Sequence, residues 1–268
     1  MKAVGFIGTG NMGGALVRAA CKAYDSCRVW IANRTKEKSD ALAAETGCRV
    51  STTEEIAESC NLVFLGVKPQ GMGELLSVLA PIFQKRKDNF TLVSMAAGLE
   101  IATLQELAGG EYPVIRMMPN TPVAVGEGVI LYDCSKEVTA QAETFFVDLF
   151  RYAGLRDRLP EALIDAGTSV AGCGPAFAAF FVEGLAKGAE KLGLPPEKAT
   201  LYATQMLWGT GKLIAQSGKS PEQIRKEVCS PGGSTIEGVK AFQQAGLEEI
   251  AVRAVEKAYL RNKELGKK

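Results

Sequence analysis

The 268-residue chain has no histidine. That absence excludes every mechanism built on an imidazole acid, base or metal ligand. Cysteine is sparse and dispersed, with seven residues at 21, 27, 48, 60, 134, 173 and 229, no C-x-x-C pair and no metal-like cluster. An odd, scattered set predicts reduced thiols, no metal centre and a cytoplasmic setting. Excess charge is also missing: 31 basic residues face 30 acidic ones. No strong field is available to draw in nucleic acid or an anionic membrane. The longest uncharged run, Ala166 to Val182, is broken by Gly172, Gly174 and Pro175, and falls short of the ~20 apolar residues of a spanning helix. The glycines of MKAVGFIGTGNMGG suit a strand and turn better than the core of a targeting signal.

Two rhythms are present. Up to residue 158, apolar runs at Val4–Gly8, Arg28–Asn33, Leu62–Val67, Thr91–Ala96, Val114–Met118 and Val129–Tyr132 read as strands. Helical segments separate them at Gly13–Ala23, Lys36–Glu45, Glu54–Ala57, Gly73–Phe83 and Thr103–Ala108. Strands that are apolar throughout are covered on both faces, and this alternation predicts a doubly wound, mainly parallel α/β sheet. Ser51 with Glu54 has the form of a capping box. Beyond Leu159-Pro160 the strand signals stop. Ala176–Leu192, Pro196–Gln216, Pro221–Val228 and Leu247–Glu264 read as helices, the third opened by the capping sequence Ser220-Pro221-Glu222-Gln223. The expected domains are therefore 1–158, binding a dinucleotide, and 159–268, all-helical.

The first candidate site is Gly8-Thr9-Gly10-Asn11-Met12-Gly13, a G-x-G-x-x-G turn between the first strand and the first helix. The first glycine permits the turn, the second admits a pyrophosphate and the third lets helix pack on strand. The second strand ends in Asn33-Arg34-Thr35 where an NAD site commonly has Asp or Glu. Amide, hydroxyl and guanidinium groups suit a 2′-phosphate, so NADPH is the expected cofactor, with NADH also open. Ligands of such sheets bind beyond the carboxyl ends of the strands. This adds Val67-Lys68-Pro69, Ala96-Ala97-Gly98 and Asn120 as cofactor-facing loops. Lys68 reads as part of a rigid wall more than as a catalytic lysine. Asn120 reads either as a nicotinamide-orienting group or as a residue chosen for its turn.

The second candidate is CSPGGSTIEG, Cys229 to Gly238, in the helical half. Ser234 and Glu237 have capping-box spacing, and Pro231-Gly232-Gly233 leaves the backbone amides bare. An exposed helix N-terminus binds anions, including a small carboxylate.

GFIGTGNMG, VKPQ, SMAAG, RMMPNTP, AGCGPAF and CSPGGSTIEG together resemble the pyrroline-5-carboxylate reductase family over nearly the whole chain. Cys173 departs from the serine usual there. The resemblance implies a Rossmann-type sheet followed by an all-α dimerisation domain in a homodimer or larger ring. It also implies reduction of 1-pyrroline-5-carboxylate to L-proline, the last step of proline biosynthesis. Ser230, Gly233, Ser234 and Thr235 would hold the substrate carboxylate, and Thr235 would also direct its hydroxyl at the ring nitrogen as the catalytic residue. A cyclic imine can take its proton from water, which suits a chain without histidine. A β-hydroxyacid dehydrogenase would require a lysine on the first helix after the junction, and Gly174 to Glu183 has none. A non-catalytic NADP sensor would leave the Pro-Gly-Gly-Ser-Thr loop without a purpose.

Overall fold

A computed structural model describes residues 2–266. Its elements run β1 (Val4–Ile7), α1 (Asn11–Ala23), β2 (Val29–Ala32), α2 (Lys36–Thr46), β3 (Arg49–Val50), α3 (Thr53–Ser59), β4 (Leu62–Leu65), α4 (Pro69–Lys85), β5 (Thr91–Ser94) and α5 (Ile101–Ala108). There follow β6 (Val114–Pro119), β7 (Gly128–Cys134), α6 (Ala140–Leu149), β8 (Gly154–Arg158), α7 (Glu161–Ala171), α8 (Gly174–Lys191), α9 (Pro196–Ser217), α10 (Pro221–Val228), α11 (Ser234–Gln244) and α12 (Leu247–Leu265). The described residues form one eight-stranded sheet ordered β3-β2-β1-β4-β5-β6-β7-β8. All neighbouring strands pair in parallel except β6 with β7.

Alternation along the strands builds two cores, one on each sheet face. Phe6, Phe64, Ile115 and Met117 meet Leu16, Phe146 and Phe150 on one side. Ile7, Val63, Leu65 and Leu92 meet Ile56, Leu76, Phe83 and Leu104 on the other. Phe6 and Phe64 stack with centroids 4.2 Å apart, and Phe150 meets Phe64 edge-on at 5.6 Å. Such pairs add to their area burial and pin β1 against β4.

The sequence pattern overlooked β3, β8, α6 and α7. β3 is two residues long, and β8 (GLRDR) is charged and half-solvated, so neither shows an apolar run. One cap also shifts. Thr52, not Ser51, caps α3 and forms the reciprocal box with Glu55, while the Ser51 hydroxyl donates to the Glu55 carboxylate. The Ser220–Gln223 box is formed as its spacing requires.

The last strand ends at Arg158, but compactness divides the chain elsewhere. One unit comprises 1–173 with 257–268, and the other comprises 174–256. The reason is α7, which buries Ile164, Asp165, Thr168 and Ser169 and contacts β6 and β7. In the second unit, α8 and α9 pack together and Phe181 meets Phe242 of α11 at 5.8 Å. Its buried residues are few: three alanines, Ala186, Ala199 and Ala203, and one larger residue, Ile224. Large apolar side chains lie outside instead, with Phe180 76%, Leu201 60% and Trp208 53% exposed.

Candidate functional site

In the first unit the glycine turn follows β1 as its spacing requires. Gly8 has φ +94°, the left-handed region that a side chain disfavours, and its amide donates to the Ala32 carbonyl at 2.8 Å. A Cβ on Gly8 would stand 2.5 Å from the Gly66 carbonyl oxygen, and one on Gly13 would stand 2.3 Å from that of Gly8. Gly10 differs: a Cβ there meets nothing within 4 Å. It is the N-cap of α1 and no side chain caps the helix. The first and third glycines thus serve chain packing. The second leaves space before the bare amides of Asn11 and Met12, a cradle that a phosphate group fits.

Thr9 beside it is buried, and its hydroxyl has no hydrogen-bond partner among the described residues. An unpaired buried hydroxyl is costly, and a bound polar ligand would satisfy it. The Thr9 amide approaches Asn33 Oδ1 at 3.4 Å, and Asn33 Nδ2 donates to the Thr35 carbonyl at 3.3 Å. Asn33 therefore ties the glycine turn to the end of β2. Arg34 and Thr35 are exposed at the start of α2, whose N-terminus has no side-chain cap. These groups lie together at the end of β2 and the start of α2.

The other strand ends carry the remaining candidates. Val67 is half-buried, Lys68 is the exposed N-cap of α4 and Pro69 is its first residue. Ala96 is buried and Ala97 half-buried after β5. Gly98, at φ +78°, is occupied otherwise: a Cβ there would lie 2.4 Å from the backbone nitrogen of Gly266 and 2.9 Å from the Asn262 carbonyl. Its small size serves the end of α12. Asn120 Oδ1 accepts from the Val129 amide at 2.8 Å, and its Nδ2 donates to the Ala171 carbonyl at 2.9 Å. Of the two roles open to Asn120, these bonds describe a loop tie.

In the second unit Gly232 turns the chain at φ +73°, and Gly233 caps α11 through its backbone alone. The capping box expected from Ser234 and Glu237 does not form. Ser234 already lies inside the helix, one position too late to cap it, and Glu237 pairs with Lys240 at 2.7 Å. Ser230, Ser234 and Thr235 are exposed and Gly233 is half-buried. The first turn of an eleven-residue helix therefore presents amides that no side chain satisfies, next to the Thr235 hydroxyl. The loss of the expected cap strengthens the anion-binding reading.

No local pattern announces the buried charge network that Arg116 of β6 joins. Arg116, 1% exposed, meets Asp165 at 2.6 Å and Glu161 at 3.3 Å. Its strand position was visible, but its partners lie 49 and 45 residues further on.

Comparison with known proteins bears on both units. Residues 161–265 match the family described as pyrroline-5-carboxylate reductase dimerisation, and residues 3–98 match NADP oxidoreductase coenzyme F420-dependent. Pyrroline-5-carboxylate reductase 3 of Macaca fascicularis is 35% identical over 268 residues, covering 99% of this chain and 96% of that protein. The Escherichia coli K12 pyrroline-5-carboxylate reductase is 30% identical over 269 residues, covering 99% of each. Among solved structures, the Plasmodium falciparum pyrroline carboxylate reductase with NADP bound superposes with TM-score 0.88 at 29% identity, over 99% of this chain and 98% of that one. The Coxiella burnetii pyrroline-5-carboxylate reductase gives 0.91 at 28%, over 100% and 99%. With relatives this similar along its whole length, the chain belongs to the pyrroline-5-carboxylate reductase family.

Proposed function

We propose that this protein reduces 1-pyrroline-5-carboxylate to L-proline with NAD(P)H, the last step of proline biosynthesis. The observation that carries the reading is the bare first turn of α11, with Thr235 on it, in a chain whose sheet also offers the open cradle at Gly10. One site suits a carboxylate and the other a pyrophosphate.

On the turn that Gly8 and Gly13 shape, Thr9, Gly10, Asn11 and Met12 hold the cofactor's phosphates, and Asn33, Arg34 and Thr35 favour its 2′-phosphate. Val67, Lys68, Pro69, Ala96 and Ala97 wall the remainder, with Asn120 fixing the loop after β6. When bound, the reduced nicotinamide supplies a hydride. The substrate ring enters as an iminium protonated by water. Its carbon accepts the hydride, the C=N π pair becomes the nitrogen lone pair and positive charge is lost. No strong acid is required, so orientation supplies most of the acceleration. The amides of Ser234 and Thr235, with Ser230 and Gly233 beside them, grip the carboxylate. The Thr235 hydroxyl accepts a hydrogen bond from the iminium N–H, which fixes the ring's face.

The exposed apolar helices of the second unit favour a homodimer or larger assembly. Three buried alanines and Ile224 are too little to hold these helices alone, and a second copy would cover Phe180, Leu201 and Trp208. The stretch Glu161–Lys191 is long and apolar enough to cross a membrane by length and composition. Its buried Asp165 and the dimerisation match over it support a protein partner instead, in a cytoplasmic enzyme.

The test is oxidation of NADPH on addition of 1-pyrroline-5-carboxylate, together with Thr235→Ala. The variant should lose turnover about tenfold or more while NADPH binding changes by less than about twofold. An inactive wild type would remove the reading, and equal loss of turnover and cofactor binding would make Thr235 structural.

A further inference from the structure

The loop after β5 and the last turn of α12 meet backbone to backbone, and both belong to the unit formed by 1–173 and 257–268. A Cβ on Gly98 would overlap the Gly266 nitrogen and stand 2.8 Å from the Gly266 Cα and 2.9 Å from the Asn262 carbonyl oxygen. A Cβ on Gly266 would in turn overlap the Gly98 carbonyl oxygen. Each segment therefore needs the other's glycine.

The last turn of α12 is itself held. Lys263 Nζ meets Asp165 Oδ2 of α7 at 3.1 Å, and Asn262 Nδ2 approaches the Asp165 carbonyl at 3.4 Å and Ser169 Oγ at 3.5 Å. Asp165 is bound by Arg116 of β6 at 2.6 Å, which ties the turn presenting Gly266 to the sheet. The loop it meets is bound at both ends. The Ala96 amide approaches Ser94 Oγ at 3.3 Å, and the Ile101 amide donates to Glu161 Oε1 at 2.7 Å. Between those points α12 fills the side of Gly98 and leaves the loop no room to withdraw.

The strand order shows what this loop serves. β1, β4 and β5 are consecutive and parallel, so Gly10, Lys68 and Ala97 follow neighbouring strands at one edge of the sheet. Ligands of such sheets bind beyond that edge. A helix end needs no backbone partner of this kind, since water satisfies its last carbonyls. Here it is spent on a loop of the cofactor edge.

We propose that Gly266 is a positioning residue. Through Gly98, the end of α12 props the loop after β5 and fixes Ala96 and Ala97 as a rigid wall of the dinucleotide pocket. This rests on the cofactor site proposed above and not on the reaction. The prop acts at β5, whereas Asn33, Arg34 and Thr35 follow β2 on the other side of β1. Its loss should therefore weaken NADPH and NADH alike.

Gly266 lies outside the left-handed region, so Gly266→Val strains no backbone of its own, and its side chain must displace the loop or the helix end. Fluorescence titration should show the affinities for NADPH and for NADH each falling about tenfold, with their ratio kept within about twofold. The methyl resonances of Ala96 and Ala97 should shift, while those of Ala15 and Ala19 on α1 stay in place. Gly98→Ala crowds the same contact from the other side, should show the same pattern, and decides the case if Gly266→Val does not fold. Wild-type affinities in a folded variant, unmoved Ala96 and Ala97 methyls, or a loss confined to NADPH would each overturn the proposal. A lower melting temperature with both affinities intact would overturn it too, by making the contact structural. A wild type that binds NADPH but leaves 1-pyrroline-5-carboxylate unreduced would remove only the proposed reaction, and the titrations would still decide whether the prop exists.

Discussion

A Cβ atom on Gly13 would stand 2.3 Å from the carbonyl oxygen of Gly8, closer than packed atoms can approach. Helix α1 lies on the end of β1 because neither residue has a side chain at that contact. Gly10, between them in sequence, meets nothing within 4 Å. Three glycines of one motif therefore do two jobs, and substitution separates them. Gly13→Ala forces backbone apart and should cost roughly 1–3 kcal/mol of stability. Gly10→Ala should leave the melting temperature nearly unchanged and weaken NADPH binding by about tenfold or more, since its methyl group enters the phosphate space. Calorimetry with a fluorescence titration reads both. Full NADPH affinity in Gly10→Ala would show that the phosphates do not approach there.

Arg34 is exposed beside the uncapped start of α2. Hydrogen bonds to charged groups contribute ~1.5–3 kcal/mol, with exposed ones near the lower end. Arg34→Ala should therefore lower kcat/KM for NADPH relative to NADH by about tenfold. The substitution leaves a site that accepts the unphosphorylated ribose, so activity with NADH should persist. An unchanged ratio would place the 2′-phosphate elsewhere.

Acid stability should depend on Asp88. Arg86, whose side chain is 4% exposed, donates to Asp88 at 2.9 and 2.6 Å and to the carbonyls of Ala57 and Cys60 at the end of α3. It also lies over the Phe90 ring. The hydrogen bonds from Arg86 hold the Asp88 carboxyl below its ordinary range. A carboxylate with a lowered folded pKa gives stability that is present above the unfolded value, about 3.9, and is lost as pH falls through the folded one. The melting temperature should decline below about pH 4, and Asp88→Asn should lose part of that decline while melting lower at neutral pH. An identical acid limb in the variant would show that the pair does not contribute.

Legibility followed the range of the interactions. The glycine turn, Asn33-Arg34-Thr35 and the Ser220–Gln223 cap depend on neighbours within a few residues, and each lies where its local chemistry puts it. The Ser234–Glu237 spacing misled because a cap depends on which residue enters the helix first, and Gly233 already occupies that place. Gly98 had a cofactor loop's position, yet its bare side faces Gly266, 168 residues away in the chain.

The sequence by itself determined the alternation of strand and helix, the absence of histidine chemistry and the places of the two glycine-rich turns, all of which follow from composition, periodicity and short-range spacing. Its motifs, separately, carried the resemblance to the family. Only the tertiary structure decided that Arg116 is buried between Asp165 and Glu161, that Asn120 bonds Val129 and Ala171, and that the helices at 174–256 bury almost nothing large of their own. Those outcomes depend on which distant surfaces the folded chain brings together. A residue's type states what partner it requires, but only packing supplies that partner.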